Sequence, residues 1–191
     1  MTKARLEAFS DGVFAVIITI MVLEMKAPSH VTFAALHEVL PVFLSYVLSF
    51  VYVGIYWTNH HHLLHAAEKV SGSILWANLH LLFWLSLVPF ATAWMGENPL
   101  ALASVALYGF ILLCAGFAYY ILTRRLILHH GRDSTLALRI GRDRKSLISV
   151  ALYAIALPIA FRWPALSCAF YVLVALVWLV PDPRIERHIE S

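Results

Sequence analysis

Long uncharged stretches alternate along this chain with short charged ones. Uncharged runs cover Val39–Thr58, Val70–Gly96, Pro99–Thr123, Ser146–Phe161 and Trp163–Val180. A further apolar segment, RLEAFSDGVFAVIITIMVLE from Arg5 to Glu24, precedes them and carries Glu7, Ser10 and Asp11 within its length. About 20 residues rising roughly 1.5 Å each are needed to cross a bilayer core. The pattern therefore predicts an all-α integral membrane protein, one six-helix domain over residues 1–191, with helices near 4–25, 36–64, 72–95, 99–125, 146–161 and 163–180. The last two runs are short, about 16 and 18 residues, and cross only if flanking residues help. Pro158, Arg162 and Pro164 mark a tight turn between them, and a single re-entrant hairpin over Leu147–Val180 is the alternative.

The first helix is the most informative element. At roughly 100° per residue, Val16, Ile20 and Leu23 share one stripe, with Phe9, Gly12, Val13 and Thr19 along it or at its edge. Asp11, Phe14, Ile18 and Met21 fall on the opposite side. Ionisable groups at membrane depth are costly and normally face a protein interior or a water-filled cavity. Periodicity alone leaves two readings open: an ion pathway, or ordinary helix packing with Ser10 as a routine hydroxyl.

Composition and charge sharpen the membrane assignment. The chain is 61% hydrophobic with a mean hydropathy of +0.79, far above a soluble domain. With the N-terminus inside, twelve of the fourteen basic residues are cytoplasmic, leaving only Lys26 and Arg162 outside. That bias predicts an even number of crossings with both termini in the cytoplasm. The apolar run after Lys3 and Arg5 has acidic residues at both ends and no small-residue cleavage site, so it reads as a retained helix and not a signal peptide. Trp57, Trp76, Trp94, Trp163 and Trp178 fall near helix ends, at headgroup level, whereas Trp84 reads as a packing residue. Cys114 and Cys168 are mid-span and read as small apolar residues. The basic loop Arg124–Lys145, with a short amphipathic helix expected around Ser134–Ile140, faces lipid headgroups. Basic residues beside membrane helices are expected from topology and anionic lipid, so nucleic-acid binding does not follow.

Two constellations suggest other chemistry. His60, His61, His62 and His65 cluster at the end of the second helix, and His61 with His65 has the i, i+4 spacing of a metal pair. A membrane metal or haem protein built on His60–His65 is thus one alternative. Against it, no HExxH string exists and no acid stands at ligand spacing before Glu68. A small proton-coupled secondary transporter, using Asp11 and a second-helix histidine, is another. Against that, the chain has no inverted repeat or obviously broken helix pair.

A resemblance weighs on both choices. Arg5-x-x-x-Phe9-Ser10-Asp11, followed by Gly12-Val13-Phe14-Ala15 and an Ile/Thr/Leu-rich run to Leu23-Glu24, resembles the first-helix signature of the prokaryotic transmembrane protein 175 family, bacterial relatives of the lysosomal potassium channel. The likeness extends to Tyr56-Trp57-x-x-His60-His61 ending the second helix and Trp76-x-Asn78 opening the third. The resemblance implies a potassium-selective passive cation channel, not an enzyme, in the bacterial plasma membrane, with no cofactor and potassium as the permeant ion. It also implies a homotetramer, since members with one six-helix unit assemble that way, and four first helices would then surround the axis. Rings at Val16, Ile20 and Leu23 would stack over about two turns, roughly 10 Å, forming a hydrophobic constriction with Thr19 as the hydroxyl candidate. The position five after Asp11 is commonly a bulkier Ile or Leu in the family and is Val16 here, which moves the narrowest ring to Ile20 or Leu23. Ser10 and Asp11, by the same resemblance, are inter-helix anchors satisfied by His60 or His61 together with Trp76 and Asn78.

Overall fold

The computed structural model of the chain describes residues 2–28, 30–131, 134, 137 and 144–179. It is all-helical among those residues: α1 Lys3–Leu23, a 3₁₀ turn Phe33–Ala35, α2 Leu36–His65, α3 Gly72–Ser86, α4 Val88–Glu97, α5 Leu102–His130, α6 Arg144–Ala160 and α7 Pro164–Leu179. All but residues 134 and 137 of the helix expected over Ser134–Ile140 lies outside the described residues, as does the chain after Leu179.

Four spans are long and apolar enough to cross a membrane: Lys3–Leu23, Phe33–His65, Gly72–Glu97 and Leu102–His130. The third span is made of two helices. Proline has no amide hydrogen, so Pro89 cannot donate to the carbonyl of Leu85, and the chain breaks at Leu87, whose N–H turns back to Trp84 O at 3.3 Å. The apolar run, unbroken through the proline, predicts a single helix over 72–95, so the break is a departure from the sequence pattern. The fourth span extends beyond its expected end at 125. Its last turns, through His129 and His130, are carried past the apolar run by packing and end at Gly131, whose φ of 94° a side chain would strain.

α3 lies along α5, α5 against α6, α6 against α7, and α2 against α4, while α1 is laid across α2, α3 and α4. The α2–α4 contact is close because of one residue: a Cβ on Gly96 would stand 2.7 Å from Val42 Cα. A polar cluster ties α2, α4 and α5 together in the core. Thr92 Oγ1 lies 2.7 Å from both Ser49 Oγ and Val88 O, and Ser49 shares a 2.9 Å hydrogen bond with the Tyr108 hydroxyl. Tyr52 donates to the Tyr171 carbonyl, and Tyr171 donates to Val105 O at 3.2 Å, which draws in α7. Every one of these hydroxyls is buried where no lipid could satisfy it. Trp84 packs as expected of a mid-span ring, edge-on to Phe110, with its indole N–H donated to His80 Nε2 at 3.0 Å.

Two sets of contacts define the ends of the bundle. Lys3 Nζ donates to His65 O at 2.8 Å, and His130 meets Glu68 and Lys69, so the α1 start, the α2–α3 loop and the α5 end share one end. At the other, Lys26 reaches Glu97 at 3.3 Å.

Candidate functional site

One face of α1 is buried and the other is bare. Leu6, Ser10, Phe14, Ile17 and Met21 are buried, whereas Val16 is 54%, Ile20 40% and Leu23 78% exposed, and Phe9, Gly12 and Thr19 are exposed with them. Only 28% of the apolar window of this span is buried and 22% of the next, against 50% for the third and fourth. The bare stripe borders a groove of about 640 Å³ running between α1 and α4, from Phe9 through Val16 and Ile20 to Glu24, with Ser86, Pro89 and Phe90 on the far wall. Thr19 directs its hydroxyl hydrogen back to its own helix, with Ala15 O at 3.1 Å and Val16 O at 2.9 Å. Its oxygen lone pairs are thereby left on the exposed side, the orientation in which a hydroxyl serves a cation.

Behind the stripe, the polar side chains form a directional chain. His60 Nε2 donates to Asn78 Oδ1 at 2.6 Å, Asn78 Nδ2 donates to Ser10 Oγ at 3.0 Å, and Ser10 donates to Leu6 O at 2.9 Å. Because Asn78 Oδ1 can only accept, the His60 proton must sit on Nε2. All three side chains are buried, and the Phe14 ring covers His60 with centroids 5.4 Å apart. The sequence brings them together simply: Ser10 falls on the buried face of α1, His60 on the last two turns of α2, and Asn78 on the face of α3 that also buries Ile74, Leu81 and Leu85.

Asp11 is held separately. Its carboxylate accepts the Trp57 indole N–H at 2.9 Å. The expected anchor has a second-helix histidine, Asn78 and Trp76 satisfying both Ser10 and Asp11; His60 and Asn78 do meet Ser10, but Asp11 takes Trp57 and not Trp76. Trp76 is 75% exposed and stands apart from the pair, since its position on α3 is rotated two residues from Asn78 and faces outward. His61 is exposed as well and stacks on His65, rings 6.0 Å apart and 16° from parallel, one turn above Trp57. A helix presents His60 and His61 100° apart, so only one of the two could enter the core. Arg5 is also exposed. Trp57 was the residue missed: its nearness to a helix end suggested a headgroup anchor, but an indole one turn before His60 and His61 on an inward-turning helix was the available donor for an acid on α1.

The alternatives meet the same geometry. Asp11 takes an indole and His60 an amide, so no direct hydrogen bond links the acid to a second-helix histidine of the kind a proton relay uses. Within the histidine cluster, His60 points into the core while His61 and His65 point out, and among the described residues no group of three or more His, Cys, Asp or Glu is placed to hold a metal.

The profile of the family described as endosomal/lysosomal potassium channel TMEM175 matches residues 5–89, which hold α1, α2, α3 and the start of α4. The chain is 53% identical to a potassium channel of Chryseobacterium sp. (strain P1-3) over the whole of both sequences. It is 32% identical to a potassium channel of Streptomyces collinus, covering 99% of this chain and 98% of that one. Among solved structures, it resembles the crystal structure of a lysosomal potassium-selective channel TMEM175 homolog from Chamaesiphon minutus, with a TM-score of 0.80 and 28% identity over 93% of this chain and 96% of the other.

Proposed function

The chain belongs to the TMEM175 family, and from that membership together with the bare stripe on α1 we infer that it is a multi-pass potassium channel of the bacterial plasma membrane. The observation that carries the mechanism is the contrast across α1: in a membrane-length helix whose back is fully packed, the front leaves Val16, Ile20 and Leu23 uncovered. One copy cannot close a pore, so the site is completed by assembly, and we propose four copies arranged about an axis with α1 innermost.

In that assembly the constriction is apolar. Rings of Ile20 and Leu23 exclude water, and a cation passes only where its hydration shell can be shed or squeezed through. Potassium gives up water more readily than sodium. A tight apolar ring beside the Thr19 oxygens therefore favours it. Asp11 and Ser10 take no part in ion contact, because their side chains point to α2 and α3, away from the stripe. They hold α1 in register so that the rings coincide. No cofactor or enzymatic step enters this reading; potassium is the permeant species.

Passive flux through purified protein in planar bilayers, with no pH gradient, tests the function. Potassium current exceeding sodium current is expected. A potassium movement that appears only when a proton gradient is imposed would overturn the channel in favour of a transporter.

A further inference from the structure

At the end of the bundle where α1 begins, one histidine joins elements that are distant in sequence. His130, the last residue of α5, accepts the backbone N–H of Glu68 at 3.0 Å and that of Lys69 at 3.2 Å through Nε2, while its Nδ1 lies 2.9 Å from Leu126 O. A ring nitrogen that accepts amide hydrogens carries none of its own, so the single proton sits on Nδ1 and is donated to Leu126. The ring is thus neutral by the geometry of its partners. Adding a second proton places a hydrogen on Nε2, facing two amide hydrogens, and all three contacts cannot then coexist.

The loop held this way is the one on which α1 depends. It joins α2, which carries Trp57 and His60, to α3, which carries Asn78, and these three side chains hold Asp11 and Ser10. His65, the α2 residue that leads into this loop, also offers its carbonyl to Lys3 of α1. Among the described residues, no other histidine ring accepts backbone amides. Among the described residues, the other ionisable groups at this end include His129, whose ring meets His130 edge-on at 5.5 Å, Arg124 and Arg125 on α5, Glu68 and Lys69 on the loop, His61, His62 and His65 on α2, Lys145 on α6, and Arg5 with the Lys3–Glu7 pair on α1. The hydrogen bonds of the His130 ring go to backbone groups, the amides of Glu68 and Lys69 and the carbonyl of Leu126.

We propose that His130 is a proton-sensitive latch: neutral, it clamps the α2–α3 loop to α5 and keeps α1 in register, and protonated, it releases the loop and closes the pore. The inference rests on the channel reading and on the charge bias that puts this end of the bundle in the cytoplasm. Imidazole is the side chain whose ordinary charge change falls between about pH 5 and 8.

The test measures potassium current in planar bilayers as pH is lowered from 7.5 to 6.0 on one side at a time. On the side of α1's first residue the current should fall roughly tenfold, the factor that loss of about one net hydrogen bond represents. It should be unchanged from the opposite side. His130→Gln, neutral at every pH, should conduct at pH 7.5 like the parent and lose the response, whereas His130→Lys should conduct weakly throughout. His129→Gln and the double variant His61→Gln/His65→Gln should keep the response. Hydrogen exchange of segment 66–71, corrected for the intrinsic pH dependence, provides a readout independent of conduction: protection should drop at pH 6.0 in the parent and not in His130→Gln. An unaltered acid response in His130→Gln, or loop protection that is the same at both pH values, would sink the latch while leaving the channel intact. Absence of any passive current would sink the channel reading, and the exchange result would still judge the latch.

Discussion

Asn78 and Trp57 divide the work of holding α1, and their costs should differ for a physical reason. Asn78 is fully buried and uses both ends of its amide, so Asn78→Leu strands the His60 Nε2–H and takes a donor from Ser10. A buried donor without a partner typically costs about 1–3 kcal/mol. Trp57 is 44% exposed and gives Asp11 a single hydrogen bond, so Trp57→Phe should cost only about 1 kcal/mol after solvent screening. Thermal melting of the purified channel followed by size-exclusion chromatography ranks the two. If Trp57→Phe proves the more damaging, the register of α1 is set by Asp11 and not by the buried chain from Ser10 to His60. These residues were partly legible beforehand: an Asn in an apolar helix and a Ser-Asp pair in another must find partners in lipid. Which partner each would take was not legible, because a rotation of 100° separates His60 from His61 and only packing decides which enters.

At the level of helices, the two faces of α1 should answer differently to the same substitution. A polar side chain in a dewetted ring lets water persist, so Leu23→Asn and Ile20→Asn should raise conductance and weaken the preference for potassium over sodium. Thr19→Val keeps the shape but removes the oxygen, and should lower current with little effect on assembly. Met21→Asn and Ile18→Asn lie on the packed side, Met21 fully buried, and should impair folding more than selectivity. Bilayer recordings of both cations across this set decide it; selectivity lost only in the packed-face pair would remove α1 from the pathway. The α2–α4 contact makes a separate prediction. Gly96→Ala pushes a methyl against Val42 Cα and should destabilise by about 1–3 kcal/mol, read as a lowered melting temperature with ion preference retained. Helix type and rough extent followed from uncharged runs of the right length. The break at Leu87 did not, since hydropathy is blind to one missing amide hydrogen.

For the molecule as a whole, the expected topology places the α2–α3 loop and the α4 end on opposite sides of the membrane. Cysteines at Lys69 and Asn98, both exposed, in a background lacking Cys114 and Cys168, should react with an impermeant reagent from opposite faces of sealed vesicles. Reaction of both from one side would overturn the six-crossing arrangement. Assembly is the second question at this scale: mass measurement of the channel in nanodiscs should return four copies, and a stable monomer with full conductance would place the pathway inside one subunit.

What the amino-acid order determined by itself is what depends on local transfer free energy and on helical periodicity: a membrane protein made of helices, the count of apolar runs, the charge asymmetry, and the division of α1 into a stripe and an opposite face that carries Asp11. Each is a sum over neighbouring residues or a 100° rotation, and neither needs a third dimension. The tertiary structure alone decided the pairings. That Asp11 takes the indole of Trp57, that Asn78 links Ser10 to His60, and that His130 reaches back about sixty residues to two loop amides all depend on which helix lies beside which. A hydrogen bond is satisfied within about 3 Å, and no spacing along the chain specifies a distance between helices packed across a bundle.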